Sequence, residues 1–173
     1  MKGVAIIGCG AIGTLLAEAI DGGEIKAKLI YLYDIDESKA VELASKLKQK
    51  PKVARNINDI LEDKEVDIVV EAASQKAVKE YLKSVLDAGK EMLVMSVGAL
   101  LDPDLKKLYE KHRDRVHVPS GAIAGLDALK AIRLVGVKKI TLITRKPPKA
   151  LKYSQYLTNK KIQKPTLVYE GPL

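Results

Sequence analysis

Val4-Ala5-Ile6-Ile7-Gly8-Cys9-Gly10-Ala11-Ile12-Gly13 is a short apolar run, then a glycine-rich turn, then the opening of an amphipathic helix. A G-x-G-x-x-G pattern carries meaning only in that strand–turn–helix setting. Gly8 permits the tight turn, Gly10 lets backbone approach a pyrophosphate, and Gly13 lets the helix pack closely on the strand. A diphosphate here would meet the unpaired N–H groups and the positive dipole end of the helix. Gly8, Gly10, Ala11, Ile12 and Gly13 are therefore expected to bind a dinucleotide. The next apolar run, Lys28-Leu29-Ile30-Tyr31-Leu32-Tyr33, ends at Asp34, where an acidic residue at the end of the second strand binds ribose hydroxyls. Ile35, Asp36 and Glu37 follow, with no Arg to take a 2′-phosphate. NAD is expected, with NADP as the alternative.

Working outward, strands and helices alternate. Ile12, Leu15, Leu16, Ala19 and Ile20 recur at helical spacing up to Gly22-Gly23. A second helix is expected from Glu37 to Lys50, stopped by Pro51, and a short one around Ile57, Ile60 and Leu61. Asp67-Ile68-Val69-Val70-Glu71 reads as a buried strand. The helix after it carries Val78, Tyr81, Leu82, Val85 and Leu86 on one face, with Ser74 as its N-cap and Gly89 as its stop. Met92-Leu93-Val94-Met95 is a strand opening into Ser96-Val97-Gly98-Ala99. A helix follows from Asp102-Pro103, and Val116-His117-Val118 is a further short strand. This alternation implies an α/β fold, a doubly wound parallel sheet with ligands beyond the carboxyl ends of its strands. The turns at residues 8–13, 72–75 and 96–99 should then face one crevice.

A boundary is expected near Ser120, with a dinucleotide-binding domain at residues 1–119 and a smaller, incomplete α/β domain at residues 120–173. Charge supports the division: residues 1–127 carry a net −2 and residues 128–173 a net +10. Beyond the boundary a helix is expected through Leu126, Leu129 and Ile132, with strands at residues 138–144 and 166–169. The basic segment suits either a solvated face or attraction of an anionic substrate. Nucleic acid is not expected, since no platform of interleaved aromatic and basic residues appears.

The single cysteine, Cys9, excludes an intrachain disulfide and fits a reducing compartment. It reads as a small filler of the turn rather than a nucleophile. No apolar run approaches a membrane span, and the N-terminal run is too short for a signal peptide. A cytoplasmic protein without membrane contact is expected. The absence of Phe and Trp, with 30% charged residues, leans towards a thermophile.

Taken together, these segments resemble the archaeal and bacterial L-aspartate dehydrogenases. The matching pieces are the glycine turn, Glu71-Ala72-Ala73-Ser74-Gln75, Ala77-Val78-Lys79-Glu80-Tyr81, residues 96–99, Arg145-Lys146-Pro147-Pro148-Lys149 and Val168-Tyr169-Glu170-Gly171. The most specific is Ser120-Gly121-Ala122-Ile123-Ala124-Gly125-Leu126-Asp127. The resemblance implies an NAD(P)-dependent oxidoreductase that deaminates L-aspartate to iminoaspartate, feeds NAD biosynthesis and forms homo-oligomers. It further implies cofactor contacts at Ala73, Ser74 and Ala122. Members of the family continue past the Glu-Gly of the last strand into a part that carries a cofactor-contacting Asn and the catalytic His. The two histidines here, His112 and His117, match neither position. No catalytic residue is therefore assigned, nor any metal ligand. Arg145 and Lys146 are candidates for holding the substrate carboxylates, against a solvated basic loop. The rival readings are an NAD-binding module without turnover and another two-domain dehydrogenase, of the homoserine dehydrogenase or dihydrodipicolinate reductase type.

Overall fold

The computed structural model describes residues 1–120, 126–147 and 165–171. The chain divides into two compact units, Met1–Ala124 and Gly125–Leu173. The first is a six-stranded, wholly parallel sheet in the order β3-β2-β1-β4-β5-β6. Its strands are β1 (Lys2–Ile7), β2 (Ala27–Tyr33), β3 (Lys52–Val53), β4 (Ile68–Glu71), β5 (Glu91–Val94) and β6 (Val116–His117). The helices are α1 (Ala11–Asp21), α2 (Glu37–Lys46), α3 (Ile57–Glu62), α4 (Gln75–Asp87) and α5 (Pro103–Lys111), with a 3₁₀ turn at Val97–Leu101. The strand order reverses at β1, which pairs with both β2 and β4. A doubly wound sheet opens its ligand crevice at such a point.

Each face of the sheet has its own core. One face of β1, β2 and β4 packs Val4, Ile6, Leu29, Leu32 and Val70 against Ala17 and Ile20 of α1 and Ala40 and Leu43 of α2. The opposite face packs Ala5, Ile7, Val69 and Val94 against Ile60 of α3 and Val78, Leu82 and Val85 of α4. Continuous apolar strands follow from this two-sided cover.

α3, α4 and α5 carry side-chain N-caps, from Asn56, Ser74 and Asp102. Ser74 Oγ accepts from Ala77 N–H at 3.2 Å, and Asp102 caps α5 through Asp104 N–H at 3.1 Å with Pro103 at the first helical position. Gly89 takes the positive φ of 75° beyond the end of α4.

Three local expectations differ from the structure. In α1 the buried stripe is Gly13, Ala17 and Ile20, while Ile12 and Leu15 are exposed. The helix sits so close to β1 that its smallest residues face the sheet. Next, α2 stops at Lys46 rather than running to Lys50. Leu47 leaves the helix to bury its side chain, and the Asp21 carboxylate accepts the N–H groups of Lys48 and Gln49 at 3.0 and 2.7 Å. Those tertiary bonds take the donors that another helical turn would use.

The third difference lies in the second unit. There α6 (Leu126–Ile132) forms as the spacing predicts. Residues 138–144 and 166–169 are not paired as strands among the described residues, and Ile143 and Leu167 are exposed. Alternating side chains do not make a strand unless its N–H and C=O groups meet a neighbour.

Candidate functional site: the crevice at the carboxyl edge of the sheet

β1, β4 and β5 are adjacent and parallel, so the turns after them emerge at one edge of the sheet. The turn at residues 8–13 is built as its residue types require. Gly8 has φ +98°, and a Cβ there would lie 2.7 Å from the Ala72 carbonyl oxygen. A Cβ on Gly13 would lie 1.8 Å from the Gly8 carbonyl oxygen. A Cβ on Gly10 would meet nothing within 4 Å. Gly8 and Gly13 thus serve internal packing, while Gly10 faces open space. Gly10 is also the N-cap of α1, and no side chain caps that helix. The first-turn N–H groups have no intrahelical acceptor and suit an anion. Ala11 and Ile12 are exposed beside them.

Asp34, at the end of β2, stands next to this turn. Its Oδ2 accepts from Cys9 N–H at 2.7 Å and its Oδ1 from Asp36 N–H at 2.9 Å. Each carboxylate oxygen keeps a further lone pair for an outside donor. The cation Lys39 lies 3.5 Å from the Asp36 carboxylate. The Cys9 thiol is buried, and its pKa is pushed up to about 12, first by burial and then by the Asp34 charge, with Lys39 opposing. A thiol so held is protonated at neutral pH and is a filler rather than a nucleophile.

The turns after β4 and β5 meet on a residue that sequence reasoning missed. Glu71 is 0% exposed. Its Oε1 accepts from the N–H groups of Ala73 and Ser74, both at 2.8 Å, and from the Ser96 hydroxyl at 2.9 Å. Its Oε2 accepts from Ser96 N–H at 2.9 Å. Ala73 and Ser74 are exposed at the crevice edge, with their N–H groups turned inward to this carboxylate. The only signal available in sequence was an acidic residue closing an apolar strand. Ala122 lies outside the described residues.

Both histidines are engaged by other side chains. His117 Nε2 lies 2.7 Å from Glu91 Oε2, and Glu91 also pairs with Lys2. Glu91 and Lys2 begin β5 and β1, at the end of the sheet away from the glycine turn. His112 closes α5, with Nδ1 2.8 Å from the Arg115 guanidinium. Among the described residues no group of His, Cys, Asp and Glu could hold a metal ion. No helix among them is long and apolar enough to cross a membrane.

A family model described as homoserine dehydrogenase, NAD binding domain, matches residues 8–119, and one described as aspartate dehydrogenase, C-terminal, matches residues 127–173. The L-aspartate dehydrogenase of Methanosarcina acetivorans is 39% identical over 181 residues, spanning 99% of this chain and 66% of that protein. The chain belongs to the L-aspartate dehydrogenase family. The L-aspartate dehydrogenase of Methanothermobacter thermautotrophicus is 43% identical over 152 residues, 86% of this chain and 58% of that one. The crystal structure of aspartate dehydrogenase from Thermotoga maritima superposes with a TM-score of 0.56 at 31% identity, covering 77% of this chain and 52% of the other. The myo-inositol dehydrogenase of Lactobacillus casei, solved with NAD(H) and myo-inositol, gives a TM-score of 0.62 at 20% identity and shares the fold. This family member therefore carries an NAD-binding, Rossmann-type domain, and it spans just under two thirds of the length of the first of these relatives.

Proposed function

We propose that the chain is an NAD-dependent oxidoreductase of the L-aspartate dehydrogenase type, which oxidatively deaminates L-aspartate to iminoaspartate. The observation that carries this is the open approach at Gly10, beside the uncapped start of α1 and the Asp34 carboxylate. In this reading residues 1–119 form the cofactor domain and residues 120–173 part of the domain for substrate and subunit contact. The N–H groups of Gly10, Ala11 and Ile12 hold the diphosphate, and Asp34 accepts the ribose hydroxyls. Ala73 and Ser74 flank the nicotinamide ring from the turn after β4, and Ala122 is assigned to the cofactor as well. NAD, when bound, supplies the hydride acceptor; the protein orients it and keeps water away. The two carboxylates of aspartate call for cations, and Arg145 and Lys146 are the assigned pair. Preference for NAD over NADP follows from Asp34, Asp36 and Glu37, whose charges repel a 2′-phosphate while Lys39 is engaged by Asp36. A cytoplasmic homo-oligomer completes the proposal.

A second reading has its own observation. Both histidines are engaged, His117 by Glu91 and His112 by Arg115, and neither matches the family's catalytic position, so the chain by itself could bind NAD without turnover. Calorimetry with NAD, followed by L-aspartate and NAD at alkaline pH with NADH formation as readout, separates the two. Binding with turnover supports the dehydrogenase, binding without turnover supports the module, and no binding refutes both. Asp34→Ala is expected to weaken NAD by about 1–3 kcal/mol, the cost of a lost hydrogen bond to a charged acceptor. An unchanged affinity would remove Asp34 from the site.

A further inference from the structure

We infer that Glu71 is a positioning residue, whose buried carboxylate sets the two turns that receive the nicotinamide ring of the dinucleotide. The inference rests on the reading of the crevice as the NAD site. Glu71 ends β4 and stands in register with Val94 of β5, so its side chain lies between two neighbouring strand ends. Four donors converge on it, three of them backbone N–H groups and one a hydroxyl. No cation pairs with it among the described residues. Only a group that accepts at every site and donates at none satisfies that set. Burying a carboxylate is costly unless its lone pairs are filled, and here they are filled by loop backbone rather than by an Arg or Lys.

The arrangement extends across the crevice floor. A Cβ on Gly98 would lie 2.6 Å from the Gln75 side-chain nitrogen, so the turns after β4 and β5 also touch beyond Glu71. On the other side Gly8 abuts the Ala72 carbonyl, so the turn that Glu71 holds is also the one against which the glycine turn rests. Moving residues 72–75 would therefore alter the spacing between the diphosphate cradle and the turn after β5. Glu71 touches none of the groups proposed to contact the diphosphate or the adenosine ribose, so its effect should fall on the nicotinamide ring.

That asymmetry supplies the test. NAD and ADP-ribose share every group except the nicotinamide, so the ratio of their dissociation constants isolates the affinity added by that ring. Calorimetry on the full chain is run with both ligands for the wild type, Glu71→Gln and Ser96→Ala, with a thermal melt of each. In Glu71→Gln an amide NH₂ must face one of the four donors. The expected result is NAD weakened by about tenfold and ADP-ribose moved by less than about twofold, so the ratio collapses. Ser96→Ala removes a single donor and is expected to lower the ratio by about threefold, which keeps the test decisive if Glu71→Gln does not fold. A lower melting temperature with an unchanged ratio would make Glu71 a staple of the fold alone and overturn the inference. So would a wild type that binds ADP-ribose as tightly as NAD. A wild type that binds neither ligand would instead refute the NAD site itself.

Discussion

Gly8, Gly10 and Gly13 answer three different physical demands, and adding one methyl group at each separates them. At Gly13 the new Cβ would fall 1.8 Å from the Gly8 carbonyl oxygen, against rigid backbone. Gly13→Ala is therefore expected to destabilise the fold by about 1–3 kcal/mol or more, as overpacking does, and to lower the melting temperature. At Gly10 the backbone is extended, with φ −79°, and nothing lies within 4 Å. Gly10→Ala should leave the melting temperature in place and weaken NAD, because its methyl group occupies the space the diphosphate needs. A thermal melt and a calorimetric titration of each variant check both halves. A Gly10→Ala protein that binds NAD normally would place the diphosphate elsewhere. At this scale the glycine turn was legible because steric demand is written in the residue type. Glu71 was not, because three of its four partners are backbone N–H groups, which every residue but proline possesses.

The helices show where periodicity reads true and where it fails. In α4 the apolar residues recur at helical spacing, and Ala77, Val78, Tyr81, Leu82, Val85 and Leu86 are all buried as a single face. Its N-cap follows from local chemistry as well. Ser74 Oγ meets the third N–H of the helix, which would otherwise lack a partner. Ser74→Ala is expected to cost about 1 kcal/mol of stability. Its N–H group still donates to Glu71. The variant should therefore melt earlier and weaken NAD by less than Glu71→Gln does, because it removes one hydroxyl and leaves the turn held. Equal losses in both measurements would show that the hydroxyl itself touches the cofactor. The elements that misled are those decided by distant partners. α2 ends early because Asp21, on another helix, captures the next two N–H groups. The alternation at residues 138–144 reads as a strand, yet the pairing that would make it one is not a property of the segment.

At the scale of the whole molecule, sheet topology brings Cys9 and Asp34 together, and this couples stability to pH. Burial and the neighbouring carboxylate hold the Cys9 thiol protonated, with a pKa of about 12 against 9.0 for an unhindered thiol. The folded state therefore keeps a proton that the unfolded chain gives up first. Below pH 9.0 both states are protonated and the contribution is fully present. As pH rises from 9.0 towards 12 the unfolded state ionises alone and stability is lost. Tyr31 is raised by burial and by its hydrogen bond to Asp63, and Tyr81 by burial, Tyr33 and Glu80, so both act in the same direction. Buried Lys90 is lowered by desolvation and acts in the opposite one. A single melting curve against pH thus mixes these groups, and Cys9→Ala isolates one of them. The expected outcome is that the wild type loses stability relative to Cys9→Ala as pH climbs past 9.0, while the gap between them stays constant at lower pH. A gap that is flat across the alkaline range would mean the thiol ionises in the folded protein as freely as in the unfolded one. The burial of the Cys9 side chain beneath the glycine turn would then be wrong as well.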